Sequence, residues 1–92
     1  MQPLDWHKKR MASNMSPTAE LILNILNNEG PMTVMDTMGS AHSKAIASMT
    51  TIHGGLKWLQ SFSYIRVQPD ATDNRIKMCV ITPKGHKYLE SL

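Results

Sequence analysis

A chain of 92 residues with net charge +3 and a pI near 9.3 can hold one modest core, and its sign favours an anionic partner. A single cysteine excludes an intrachain disulfide framework and suits a reducing cytoplasm, and no apolar run approaches the ~20 residues needed to span a bilayer. Aromatic content is only 5%, offset by eight methionines, which fill irregular gaps in a core.

Residues 1–15 read as a basic tail ahead of a folded domain over 16–92. The cluster His7-Lys8-Lys9-Arg10 has no apolar stretch after it and so is no secretory signal. Leu4, Trp6, Met11 and Met15 are spaced irregularly. A solvated tail pinned by Trp6 and a basic arm that touches phosphates both fit. Ser16-Pro17 then starts a helix, a capping hydroxyl before a proline whose missing N–H costs nothing there. It should run to about Asn28 and stop at Gly30-Pro31. Ala19, Ile22, Leu23 and Leu26 make its stripe, which Leu21 and Ile25 widen beyond one contact face. That width predicts cover on two sides, by the tail or by a second subunit.

Met32 suggests a short edge strand. Thr33, with Asp36 three residues on, opens a second helix with a thin apolar face of Val34, Met38 and Ala41. Its end is open: Lys44 to Ala47 fits a helical turn or a link, with Ile46 inward in either case. Ser48 caps a third helix over about 48–62. Met49, Ile52, Leu56 and Leu59 form its buried stripe, while Thr50, Gly54, Lys57 and Trp58 face the other way with Thr51 and His53 on the flanks. One side is apolar and the other small and hydroxylated, which suits a helix that reads a surface.

Tyr64–Gln68 and Arg75–Ile81 alternate as strands around the turn residues 69–74. In the first, Ile65 and Val67 share a side. In the second, Ile76, Met78 and Val80 are expected to oppose Arg75, Lys77 and Cys79. Thr82-Pro83 starts a last helix with Tyr88, Leu89 and Leu92 as core residues. The fold class is mostly α with a small antiparallel hairpin (α+β), in the order helix, helix, helix, hairpin, helix: a winged helix-turn-helix.

Three runs in this order carry a resemblance. Thr51-Ile52, Leu56, Leu59 and Tyr64-Ile65 resemble the S-T-V…L…L…G-hydrophobic-Ile run of MarR-type winged helix regulators. Ile81-Thr82-Pro83-Lys84-Gly85 is similar to the L-T-x-x-G that follows their wing, and Gly30-Pro31-Met32-Thr33-Val34 to their G-P-L-T-V. The resemblance covers Ser16 to Leu92 and implies a dimeric, DNA-binding transcriptional regulator. There are departures. About four extra residues separate Thr33 from Thr51. Ser63 stands where the family prefers glycine. Gly54 replaces a long polar side chain, and with Gly55 it weakens the helix by roughly 2 kcal/mol relative to alanines. The last helix is short, which points to a stripped-down relative or to a phage or plasmid version.

The expected partner is double-stranded DNA, with the third helix in the major groove and the wing, 64–81, on the backbone. Lys44, Lys57, Arg66, Arg75 and Lys77 would meet phosphates, helped by Ser43, Ser48 and Thr50; Thr50, Thr51 and His53 are the candidates for base edges. From Thr37 to Pro69 there are three basic residues and no acid, so this surface has one sign. The alternative is a winged helix that docks on a polymerase or another regulator, with Trp58 as an exposed anchor. An enzyme is not expected. The histidines lack metal-ligand spacing, Cys79 has no assigned base, and no paired carboxylates or Walker-type loop occur, so no metal or cofactor is expected either.

Overall fold

The computed structural model describes residues 15–45 and 47–92; the expectations for residues 1–14, Trp6 among them, and for Ile46 lie outside that set. Four hydroxyls set where the helices begin. Ser16 accepts from the Ala19 amide (3.1 Å), Thr33 from Asp36 (3.0 Å), Ser48 from Thr51 (3.2 Å) and Thr82 from Gly85 (3.2 Å). Each satisfies an amide that the first turn leaves unpaired, worth about 1 kcal/mol. The helices they start are α1 (Pro17–Glu29), α2 (Val34–Lys44), α3 (Met49–Ser61) and α4 (Pro83–Glu90). Between them lie β1 (Met32–Thr33), β2 (Ile65–Pro69) and β3 (Lys77–Ile81), antiparallel in the order β1-β3-β2. This is the winged helix architecture expected, with Met32 on the edge strand as read.

Helix α1 is the centre of the core. Its wide arc (Ala19, Ile22, Leu23, Ile25 and Leu26) is buried against α2, α3, α4 and β3 of the same chain. Of the expected tail only Met15 is described, and it is buried with this core; the rest of the expected cover lies outside the described residues, and Leu21 sits half-buried at the margin of the arc. Ile52, Leu56 and Leu59 of α3 are buried as predicted, but Met49, in the first turn, is 43% exposed. Gly55 takes the place of a stripe residue and is buried where α3 meets the start of α1; a Cβ there would lie 3.5 Å from Ala19 N and Thr18 Cγ2, an ordinary van der Waals contact.

The hairpin register keeps the expected alternation of the return strand but turns the Cys79 side, not the Met78 and Val80 side, towards the core. Ile65 pairs with Ile81 and Val67 with Cys79, so the partners of the two inward residues must face inward too. Cys79 is fully buried, and Ile76 lies 41% exposed ahead of the strand. Thr37, also fully buried, lies against the Cys79 thiol and donates its hydroxyl to the Thr33 carbonyl (2.8 Å). In α4, Tyr88 and Leu89 are half-buried but Leu92, beyond the helix end, is 70% exposed and is no core residue. Among the described residues no helix is long and apolar enough to cross a membrane.

Candidate nucleic-acid interface

Helix α3 presents two unlike sides because its apolar residues recur at i, i+4 and i+7. With Ile52, Leu56 and Leu59 inward, Thr50, Thr51, His53, Gly54 and Lys57 are exposed. A Cβ at Gly54 would meet nothing within 4 Å, so the middle of this face is flat backbone open to a close approach. Ser48 and Thr51 are partly committed: their hydroxyls lie 3.1 Å apart, and Ser48 caps the helix.

All ten expected contact residues are exposed, yet the structure does not gather them on one surface. Thr50, Thr51, His53 and Lys57 share the outer side of α3. Ser43 and Lys44 end α2, where the Ser43 hydroxyl donates to Ser40 O (2.9 Å) and Lys44 Nζ sits 3.6 Å from Glu29, tying α2 to the end of α1. On the hairpin, Arg66 pairs with Val80 and points away from the helices, whereas Lys77 lies on the opposite face. Lys77 and Arg75 line an open groove of about 550 Å³ with Val34, Met35 and Asp36 at the start of α2.

The turn of the wing is held by its own acids. Asp70 accepts from the Thr72 hydroxyl (2.6 Å), the Thr72 amide (3.1 Å) and the Asp73 amide (3.2 Å). Asp73 accepts from the Arg75 amide (3.0 Å) and from Arg75 Nε (3.2 Å) and Nη2 (3.3 Å). The Thr72 hydroxyl chiefly, and the Arg75 side chain chiefly, hold Asp70 and Asp73 below the ordinary carboxylate range. The two-residue spacing of Asp73 and Arg75, an Asx-turn pattern, is the signal that would have found this pair.

Trp58 packs against the root of the wing. Its ring stacks on Tyr64 (5.7 Å) and lies 4.6 Å from Phe62. The cause is the way α3 ends. Tyr64 N donates to Leu59 O (2.9 Å) and Ser63 N to Gln60 O (3.1 Å), a Schellman closure with Ser63 in the left-handed region (φ 64°). Such a closure brings the residue after the left-handed one onto the last turn of the helix, here Tyr64 onto Trp58.

Among the described residues no group of three or more His, Cys, Asp and Glu side chains could hold a metal ion. No family model matches the sequence, and no curated protein does. Solved structures do. The transcriptional regulator Tm0710 from Thermotoga maritima is 27% identical with a TM-score of 0.69, over 90% of this chain and 56% of that one. BpsR from Bordetella bronchiseptica, whose DNA binding is regulated by 6-hydroxynicotinic acid, is 20% identical with a TM-score of 0.70, over 86% of this chain and 57% of that one. A Staphylococcus aureus MepR variant bound to an oligodeoxyribonucleotide is 21% identical with a TM-score of 0.74, over 91% of this chain and 59% of that one. The chain thus spans a little over half the length of these regulators. Its fold is the winged helix-turn-helix, and the solved proteins that share it are MarR-family transcriptional regulators, the family its own sequence resembles.

Proposed function

We propose that this domain is a transcriptional regulator that binds double-stranded DNA, with α3 in the major groove and the wing over the neighbouring backbone. The observation that carries this is the outer side of α3: Thr50, His53, Gly54 and Lys57 exposed together, within a stretch of chain that contains no acid. Thr50, Thr51 and His53 are the groups for base edges, and the open backbone at Gly54 lets the helix seat close to the groove floor. Lys57, Arg66, Arg75 and Lys77 serve phosphates, with Ser43, Lys44 and Ser48 at the junction of α2 and α3. Arg66 and Lys77, on opposite faces of the hairpin, would meet different parts of the backbone. Two such domains in a homodimer would present their heads about 34 Å apart on a palindromic site. A reducing cytoplasm suits the free Cys79.

Titration on a random duplex at several salt concentrations tests this, since each phosphate contact contributes a log–log slope of about −0.9. Lys57→Ala and Arg75→Ala should each weaken binding to all sequences alike and flatten that slope by about 0.9. Unchanged affinity in both variants would remove α3 and the wing from the interface. The alternative of a protein-docking module through Trp58 has less support, because that ring is half-buried on Phe62 and Tyr64 rather than free.

A further inference from the structure

We propose that the turn Thr82–Gly85 is a socket that holds the carboxyl end of α3, with Lys84 as a positioning residue for the reading helix; its effect on DNA rests on the function proposed above. The Schellman closure uses the carbonyls of Leu59 and Gln60 and leaves those of Phe62, Ser63 and Tyr64 outside the helix. All three are met from one turn. Lys84 Nζ donates to Phe62 O (2.6 Å), and the Thr82 hydroxyl lies 2.7 Å from Ser63 O and 3.0 Å from Tyr64 O. The Thr82 amide donates to Tyr64 O (3.1 Å). The Lys84 ammonium also sits 4.6 Å above the Tyr64 ring, at the end of a helix whose dipole attracts a cation. Gly85 lets the two backbones close: a Cβ there would lie 2.5 Å from Tyr64 O and 2.7 Å from Ile81 Cγ1.

The run Thr82-Pro83-Lys84-Gly85 therefore does more than start a helix. It binds three successive carbonyls at the exit of α3 and fixes that exit relative to α4. Lys84, exposed and cationic, resembles one more phosphate contact, but its ammonium is engaged by the chain's own carbonyl and ring. Moving α4 would carry the end of α3 with it.

The test uses the full chain and the variants Lys84→Met and Lys84→Arg, at a temperature where melting curves show all three folded. Kd on a random duplex is measured across salt, and amide hydrogen exchange is followed at Ser63 and Tyr64. Lys84→Met should weaken binding about three- to tenfold, within the range for packed contacts remote from a ligand, with the salt slope unchanged. Exchange at Ser63 and Tyr64 should accelerate, and Lys84→Arg, which can both donate and stack, should restore both readouts. A slope flattened by about 0.9 would make Lys84 a phosphate contact and overturn the proposal. Wild-type Kd in the folded methionine variant would overturn it as well, since a role in stability alone leaves Kd unmoved. Should the wild-type chain bind no duplex, the functional reading fails and exchange alone decides: faster exchange in Lys84→Met upholds the socket, and unchanged exchange overturns it.

Discussion

At the scale of single residues, two backbone positions, one just after α3 and one in the first turn of α4, set the geometry on which the reading helix depends. Ser63 holds φ 64° without being glycine. A non-glycine residue in the left-handed region costs about 1–2 kcal/mol, of which glycine returns about 0.4–1 kcal/mol through its looser unfolded chain. Ser63→Gly should therefore raise stability by about 0.5–1 kcal/mol, read as a higher urea midpoint with an unchanged m-value. Gly85 behaves in the opposite sense. The Tyr64 carbonyl, which a Cβ would press, is backbone and already hydrogen-bonded, so it cannot yield cheaply. Gly85→Ala should cost about 2–3 kcal/mol in the same assay. A cost near zero would mean that α4 can slide on α3, which the socket forbids. The sequence carried both signals: Ser63 stood in a glycine position, and Gly85 closed the T-x-x-G run. Only the coordinates supply the reason, a positive φ in one case and a backbone oxygen in the other.

At the scale of elements, the wing turn is ordered by carboxylates rather than by an apolar contact, and its behaviour should follow pH. Both Asp70 and Asp73 titrate below the ordinary carboxylate range because they accept hydrogen bonds in the folded turn. A lowered folded pKa means that the contribution is complete above the unfolded value and lost as pH falls through the folded one. The amide resonances of Thr72 and Arg75 should therefore stay fixed from neutral pH down to about 4 and shift together below it. Movement between pH 5 and 7 would show that the turn is held by something else. Freed from Asp73, the Arg75 guanidinium would lose its fixed direction over the groove at α2. The acidic residues of the wing thus aim a cation, an arrangement that turn composition by itself does not reveal.

At the scale of the whole molecule, the sheet seals one face of the helical core through Cys79. Burial raises its thiol above the ordinary range, so at neutral pH it stays protonated and unreactive. Labelling by a disulfide reagent should be slow in the native protein, fast in urea, and limited by global opening, because Thr37 and the strand cover the sulfur together. Rapid labelling without denaturant would mean that the hairpin lifts off by itself, and the central place of β3 would then be wrong.

What the sequence determined by itself was local. A hydroxyl before each helical run and an apolar residue every third or fourth place specify where α1, α2, α3 and α4 begin, with a proline at the first position of α1 and α4 and a glycine at the end of α1, because capping and helical phase involve neighbours within four residues. The outward side of α3 was legible for the same reason. What tertiary structure alone decided was which face each hairpin residue takes and what Trp58 touches. The side of β3 that turns inward follows from its pairing with β2, Val67 opposite Cys79, and a slip of one residue would invert it. Alternation within Arg75–Ile81 is compatible with either face, so the separation of Arg66 from Lys77 and the burial of Cys79 arise only when the strands meet.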